Sequence, residues 1–183
     1  MSARNVERVR RYYESWNAGD TDAVIAALAS DVEWHGHPAL PEPGPYHDRD
    51  SVRRWMRQFR EAWGELQADP VVLLDAEDSV VALVHMTGRG RGSGVEVRGG
   101  VDIHVMTFDG EEVSYFGLYP GDVAAERAGL SDDEREVLIL RVQEGMDESA
   151  IAERLGADDS RVIGRLEGAF EKLRAMPSRA HVS

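Results

Sequence analysis

The sequence contains no cysteine, which excludes disulfide bonds, thiolate catalysis and metal sites built from cysteine. No apolar run approaches the roughly 18 to 20 residues of a membrane span, and the charged segment from Met1 to Arg11 lacks the apolar core of a secretion signal. Positive charge is scarce, since 21 lysines and arginines stand against 34 aspartates and glutamates. The sequence therefore predicts a soluble cytoplasmic protein whose overall charge disfavours nucleic acid binding, and any such binding would need a local basic patch.

Apolar and aromatic residues, in contrast, are plentiful. The 183 residues are 42% hydrophobic and include four tryptophans and five tyrosines, which is ample for a packed core. A chain of this length holds either one large domain or a domain with a small appendage. The patterns below indicate the second arrangement: a domain over residues 1–128, a helical domain over 129–176 and a frayed tail over 177–183.

The first 128 residues predict an α+β domain in which a curved antiparallel sheet wraps around three helices. Apolar residues recur at helical spacing in three stretches, and alternation indicates strands after them. Four of the seven prolines fall between Pro38 and Pro45, so that stretch is predicted to be a loop. The predicted helices cover residues 3–17 and 20–29, and a third begins at residue 50 and has an apolar stripe that ends at Trp63. An extended segment is predicted over 32–35, and strands are predicted over 71–74, 80–87, 95–108 and 112–119.

The strand Gly100–Phe108 places ionisable side chains on a face where apolar ones are expected. Asp102 and His104 alternate with apolar residues and share their face with Met106 and Phe108. One interpretation is the wall of a polar-bottomed pocket. The other is a strand at the edge of the sheet, with Asp102 and His104 in water.

Four short motifs in this domain resemble the SnoaL-like branch of the nuclear transport factor 2 superfamily, which is also called ketosteroid isomerase-like. The motifs are Arg11-Tyr12-Tyr13, Asn17-Ala18-Gly19-Asp20, Asp31-Val32-Glu33-Trp34-His35 and His104 to Gly110. The resemblance covers about residues 4–128 and implies a cone-shaped domain with one deep pocket, often paired into homodimers through the outer sheet face. Its members include isomerases, cyclases, hydrolases, dehydratases and plain binding domains.

The resemblance also implies which residues hold the site. Ketosteroid isomerase uses a tyrosine, an aspartate base and a protonated aspartate, and here Tyr12 matches the tyrosine whereas Gly36 and Gly100 stand at the two aspartate positions. That mechanism is therefore not expected. His104 matches a proton-transferring histidine of the polyketide cyclases, whose late-strand aspartate is missing unless Asp102 substitutes for it. The catalytic candidates are His104, Asp102, Tyr12 and His35.

Two roles stay open for His104: a general base, or a hydrogen-bonded wall residue of a binding pocket. The lining of that pocket is predicted to come from Trp34, His37, Tyr46, Trp55, Met86, Met106 and Phe116, each of which could equally be simple core. His35, His37 and His47 lack a further ligand at characteristic spacing, so no metal and no cofactor are expected.

Residues 129–176 predict three short helices. Ser131 and Glu134 match a capping box, and Gly145 and Gly156 are typical helix ends. The stretch resembles region four of extracytoplasmic-function sigma factors and the LuxR-type DNA-binding domain, a small all-α helix-turn-helix. The resemblance implies that the third helix contacts DNA in the major groove. The candidate DNA-binding residues are Ser160, Arg161, Arg165 and Lys172.

The charge of these helices opposes that prediction. From Leu130 to Ser183, eight lysines and arginines stand against twelve aspartates and glutamates. The alternative is a helical module that dimerises or contacts RNA polymerase. Three functions therefore stay open: a transcription regulator that responds to an apolar small molecule; an acid–base cyclase, isomerase or hydrolase acting on a polyketide- or terpenoid-like compound; and a catalytically silent interaction domain.

Overall fold

The computed structural model describes residues 2–38, 42–90 and 96–176. The middle of the predicted proline-rich loop, the glycine-rich residues 91–95 and the predicted tail lie outside these ranges. Twelve helices and strands occur in the described part of the chain. They are α1 (Ser2–Ala18), α2 (Thr21–Ala26), β1 (Leu28–His35), α3 (Arg49–Ala62), β2 (Trp63–Ala76), β3 (Ser79–Gly90), β4 (Glu96–Asp109), β5 (Glu112–Pro120), α4 (Gly121–Arg127), α5 (Asp132–Val142), α6 (Glu148–Leu155) and α7 (Asp159–Arg174).

The five strands form one sheet in the order β1-β5-β4-β3-β2. Strands β2 to β5 pair antiparallel, but β1 runs parallel to β5, so the sheet is mixed rather than wholly antiparallel as predicted. Strand β1 precedes α3 and reaches the sheet edge by a crossover, and nothing in its own residues reveals that direction. Two further differences from the prediction are that β2 starts directly after α3, at Trp63, and that α4 was not predicted.

Local signals in the sequence set several element boundaries. The Asp20 side chain accepts a hydrogen bond from the Ala23 N–H and caps α2, and Asp48 does the same for α3. The hairpin between β4 and β5 turns at Gly110, whose φ of 62° favours glycine. Asn17, at the end of α1, hydrogen-bonds both backbone groups of Ala68 and so ties this helix to the edge strand β2.

Alternate residues of the strands build two separate cores. On the inner face, Ala82, Val84 and Met106 pack with apolar residues of α1, α2 and α3. On the outer face, Leu83 and Val105 belong to the second core. The period of two in a strand thus divides one sequence between two environments.

The C-terminal helices cover the outer face of the sheet. Buried residues of α5, α6 and α7, among them Val137, Ile151 and Leu173, form one continuous apolar core with the outer face. The predicted capping box of α5 is confirmed, because Ser131 and Glu134 bond each other's backbone N–H groups. The outer-face residues that a homodimer would need are therefore buried within the same chain.

Candidate ligand-binding pocket

A cavity of about 260 Å³ lies between the inner face of the sheet and helices α1 and α3. Aromatic rings dominate its walls, and all four tryptophans of the chain take part. The aromatic lining residues are Tyr12, Tyr13, Trp16, Trp34, Trp55, Phe59, Trp63 and Phe116. Such a wall favours flat, ring-containing apolar molecules.

Several of the rings hold one another in place. The Trp34 and Phe116 rings stack with centroids 3.9 Å apart, which joins β1 to β5. Trp55 and Phe59, one turn apart on α3, stack at 4.9 Å. Trp34 also contacts Trp55, with ring centroids 5.9 Å apart, and so links the two stacks across β1 and α3. Because these rings pack on one another, the cavity wall is fixed before any ligand arrives.

His104 stands on β4 at the inner face and is only 4% exposed. Its Nδ1 lies 2.8 Å from the Tyr13 hydroxyl oxygen. Burial, with a smaller contribution from the nearby His37, lowers the pKa of His104 to about 3. The imidazole is therefore neutral at physiological pH, and its Nε2 is free to donate or accept one hydrogen bond according to the tautomer.

Four buried polar atoms on lining residues have no hydrogen-bond partner in the described part of the chain. They are the Tyr12 hydroxyl, the Trp16 and Trp34 indole Nε1 atoms and His104 Nε2. An unmet buried donor or acceptor costs roughly 1–3 kcal/mol, so four in one cavity wall are unusual for simple core.

The pKa of Asp102 is shifted upward, whereas the pKa of its neighbour His104 is shifted downward. Partial burial, followed by repulsion from Asp122, raises the pKa of Asp102 to about 6. Two residues along a strand separate their Cα atoms by about 7 Å, so both groups can reach one bound molecule. The pair combines a neutral imidazole with a carboxyl group that changes protonation near physiological pH.

The structure brings most of the sequence-predicted pocket residues together and leaves three outside. Tyr12, Trp34, His37, Trp55, Met86, Asp102, His104 and Phe116 all line the cavity. His35 points to the outer face, where its Nε2 lies 2.7 Å from Glu33 Oε1 and its ring contacts Tyr115. Met106 is fully buried in the inner core. Tyr46 packs against Trp55 and donates its hydroxyl to the Glu42 carbonyl outside the cavity.

Sequence reasoning missed Tyr13, Trp16, Phe59 and Trp63 as lining residues. The first two are part of the apolar stripe of α1, and helical spacing marks a buried face without showing whether it is filled or hollow. An available signal was the number of large aromatic residues that the three stripes would bring to one interior.

The four residues predicted to contact DNA lie on α7, and three of them already bond carboxylates of their own module. Arg165 forms an ion pair with Asp133. Lys172 Nζ lies 2.7 Å from Glu134 Oε2, and the Ser160 hydroxyl donates to Asp158. Arg161 is exposed. The carboxylates of α5 thus offset much of the positive charge that would face DNA.

The described ranges hold no group of three or more histidine, aspartate or glutamate side chains that could hold a metal ion. None of the helices in those same ranges combines the length and apolar character needed to cross a bilayer.

Comparison with solved structures shows the same fold in bacterial proteins. An NTF2-like protein of unknown function from Burkholderia pseudomallei is 26% identical, with a TM-score of 0.59 over 65% of this chain and 91% of its own. A putative polyketide cyclase from Sinorhizobium meliloti is 18% identical, with a TM-score of 0.51 over 62% and 94% of the two chains. A ketosteroid isomerase-like protein from Catenulispora acidiphila, solved with trimethylamine, is 16% identical, with a TM-score of 0.56 over 65% and 90%.

The last two similarities, at this level of identity, concern the fold alone. None of the curated proteins compared with the chain matches it. The profile of the SnoaL-like domain, however, matches residues 9–116, which is more than half of the 183 residues and contains β1 to β4 and most of β5. The chain therefore belongs to the family of SnoaL-like domains.

Proposed function

We propose that the protein binds a small, mostly apolar molecule that contains fused rings and at least one oxygen acceptor. The observation that carries this proposal is that Tyr12, Trp16, Trp34 and His104 each have a buried polar atom without a partner among the described residues, and that all four line a cavity otherwise walled by aromatic rings. The rings supply apolar contact area, and the indole and hydroxyl groups select the position of the oxygen. A purely apolar ligand would leave those groups unmet.

Tryptophan fluorescence tests the proposal directly, because all four tryptophans line the cavity. We use 2-tetralone, a neutral fused-ring ketone, as the probe and expect saturable quenching. Tyr12→Phe removes only the hydroxyl and is expected to weaken binding by about tenfold. Tyr46→Phe is the matched control, since that hydroxyl bonds Glu42 outside the cavity, and its affinity is expected to be unchanged.

Two results would contradict the proposal. One is the absence of saturable quenching by 2-tetralone and by other fused-ring ketones of similar size. The other is an equal loss of affinity in the Tyr12 and Tyr46 variants, which would show that the Tyr12 hydroxyl contacts no bound oxygen.

A second candidate function is acid–base catalysis, and the raised pKa of Asp102, about 6, favours it. The Asp102 carboxylate would take a proton from the carbon beside a ligand carbonyl, and the electron pair would move onto the carbonyl oxygen. Tyr12 and His104 Nε2–H would donate hydrogen bonds to that oxygen. The role of His104 requires the tautomer in which the Tyr13 hydroxyl donates to Nδ1.

Hydrogen–deuterium exchange at the α-carbons of 2-tetralone, followed by NMR, tests this chemistry. The exchange rate is expected to rise through about pH 6, as Asp102 ionises, and to fall to the uncatalysed rate in Asp102→Asn. Asp122→Asn serves as a sharper control, because removing its charge should lower the midpoint and keep the exchange. Binding of 2-tetralone without accelerated exchange would leave a binding protein and exclude this reaction.

The ligand-dependent regulation of transcription stays a prediction from the resemblance of α5 to α7. A pull-down of fragmented genomic DNA by the full chain tests it, with Arg161→Glu as the control because the structure shows Arg161 exposed. Enrichment of discrete fragments that disappears in the variant would support DNA recognition. No enrichment at any salt concentration would contradict it.

A further inference from the structure

A second cavity, of about 520 Å³, lies where the C-terminal helices meet the end of the sheet. One wall is the outer side of β4, at Val101 and Ile103. The facing wall comes from α5, through Leu138 and Ile139, and from Leu173 of α7. The cavity is therefore formed jointly by the SnoaL-like domain and the helices that follow it. Its apolar lining is aliphatic, and Asp122, Arg135 and Gln143 also line it.

The two cavities meet at a gap in the sheet. Asp102 opposite Pro120 is the last pair between β4 and β5, since the chain turns away from the sheet there into α4. Position 100 has no β5 neighbour, and a Cβ added to Gly100 would meet no atom within 4 Å. His37, Gly100 and Asp102 line both cavities. Among the described residues, these three therefore belong to a wall that the two cavities share.

We propose that the aromatic pocket continues through this gap and that its ligand carries an unbranched apolar chain, which lies in the second cavity between β4 and α5. The inference rests on the proposed binding function and extends it to a ligand class: a fused-ring head with an alkyl tail. The aliphatic walls suit such a tail, and the missing side chain at Gly100 leaves it a passage.

The proposal also gives a reason for an exposed apolar residue. Ile139 is 46% exposed on α5 although its neighbours Leu138 and Leu140 are buried. Ile139 lines the second cavity, so an alkyl tail there would cover it. The C-terminal helices are then part of the ligand site, and α5 determines which tail lengths are accepted.

Calorimetric titration of the full chain with 2-tetralone and with 6-hexyl-2-tetralone tests the inference. Each buried methylene contributes roughly a fourfold gain in affinity, so the hexyl compound is expected to bind at least about tenfold more tightly even if the tail is only partly buried. Ile139→Trp fills the second cavity and is expected to cancel most of this gain without changing the affinity for 2-tetralone. Ile163→Trp is the matched control, since Ile163 is 43% exposed on α7 and lines neither cavity.

The outcomes separate this inference from the proposed function. If 2-tetralone binds and the hexyl chain adds no affinity, or if the gain persists in Ile139→Trp, the extension is wrong and the aromatic pocket stands alone. If neither compound binds, the proposed function is wrong and the extension is wrong with it. A gain that Ile139→Trp removes and Ile163→Trp keeps supports both.

Discussion

Alternate residues of β4 face two different environments. Ile103 and Val105 point outward and pack against aliphatic residues in the core shared with the C-terminal helices. Asp102 and His104 point inward toward a hollow lined with aromatic rings. Around Leu83 and Val105 the outer face has the close packing that stabilises a fold, and its unfilled volume lies at one end, beside Val101. The inner face keeps unfilled volume at its centre, beside unmet hydrogen-bonding groups. The difference indicates that the filled part of the outer face contributes more to stability than the hollow part of the inner face.

Truncating one large side chain on each face is expected to give the largest difference in stability between the two faces. Leu83→Ala, on the filled outer face, is expected to lower the free energy of unfolding by about 2–5 kcal/mol, because it opens a cavity in close packing. Met86→Ala, at the hollow inner face, is expected to cost less than about 1.5 kcal/mol, because Met86 already borders empty space. Urea unfolding measures both, and equal losses would show that the faces do not differ.

The buried neutral side chain of His104 should make the folded protein less stable as the pH falls. The folded-state pKa of His104, about 3, lies below its ordinary value of 6.5, so only the unfolded chain takes up this proton as the pH falls between the two values. This group's contribution to stability is complete above pH 6.5, and about 2 kcal/mol of it should be lost by pH 5. Urea unfolding of His104→Phe is expected to lack that component of the pH dependence. An unchanged slope would contradict a buried neutral imidazole.

Asp102 should affect stability with the opposite sign. Its folded-state pKa, about 6, exceeds the ordinary 3.8, so the folded chain holds the proton more tightly and loses stability as the pH rises from about 4 through 6. Asp102→Asn removes this cost and is expected to stabilise the protein by about 2 kcal/mol at pH 7.5, allowing for partial solvent screening. Near pH 4 the variant and the native protein are expected to be equally stable in urea. A variant that is less stable at pH 7.5 would indicate a favourable partner for the carboxylate.

Removing the hydroxyl group of one tyrosine on each face is expected to give the smallest difference in stability, from two closely matched substitutions. The Tyr115 hydroxyl, on the outer face, bonds the Tyr119 hydroxyl at 2.6 Å, so Tyr115→Phe is expected to cost about 1 kcal/mol. The buried Tyr12 hydroxyl bonds no described group, so Tyr12→Phe should change stability by less than about 0.5 kcal/mol. Thermal unfolding of both variants provides the comparison. A larger loss for Tyr12→Phe would place a structural role on the hydroxyl assigned to the ligand.

Much of the fold was predictable because its signals are local. The caps at Asp20 and Ser131, the turn at Gly110 and the alternation of β4 all act within a few residues, and each is found in the structure. The first half of β2 was missed, because the stretch from Trp63 to Pro70 combines an aromatic end, a glycine and a proline instead of a clear alternation. The parallel direction of β1 depends on a crossover that no residue in the strand records.

The site was predictable where strand alternation could be applied consistently. Trp34 and His35 are neighbours on β1, so they must face opposite sides of the sheet, and choosing both as site residues conflicted with that rule. Only Trp34 lines the cavity. Alternation does place Met106 on the same face as His104, but it cannot show that Met106 lies where the interior is filled.

The sequence by itself determined the SnoaL-like domain, the common face of Asp102 and His104 on β4 and the three helices after residue 129, because spacing and capping act over one or two turns or strand pairs. Only the tertiary structure decided that those helices close the outer face, that eight aromatic side chains meet in one cavity and that the pairing of β4 with β5 stops at Asp102. These features depend on how distant elements fill space against one another, and local pattern does not encode that packing.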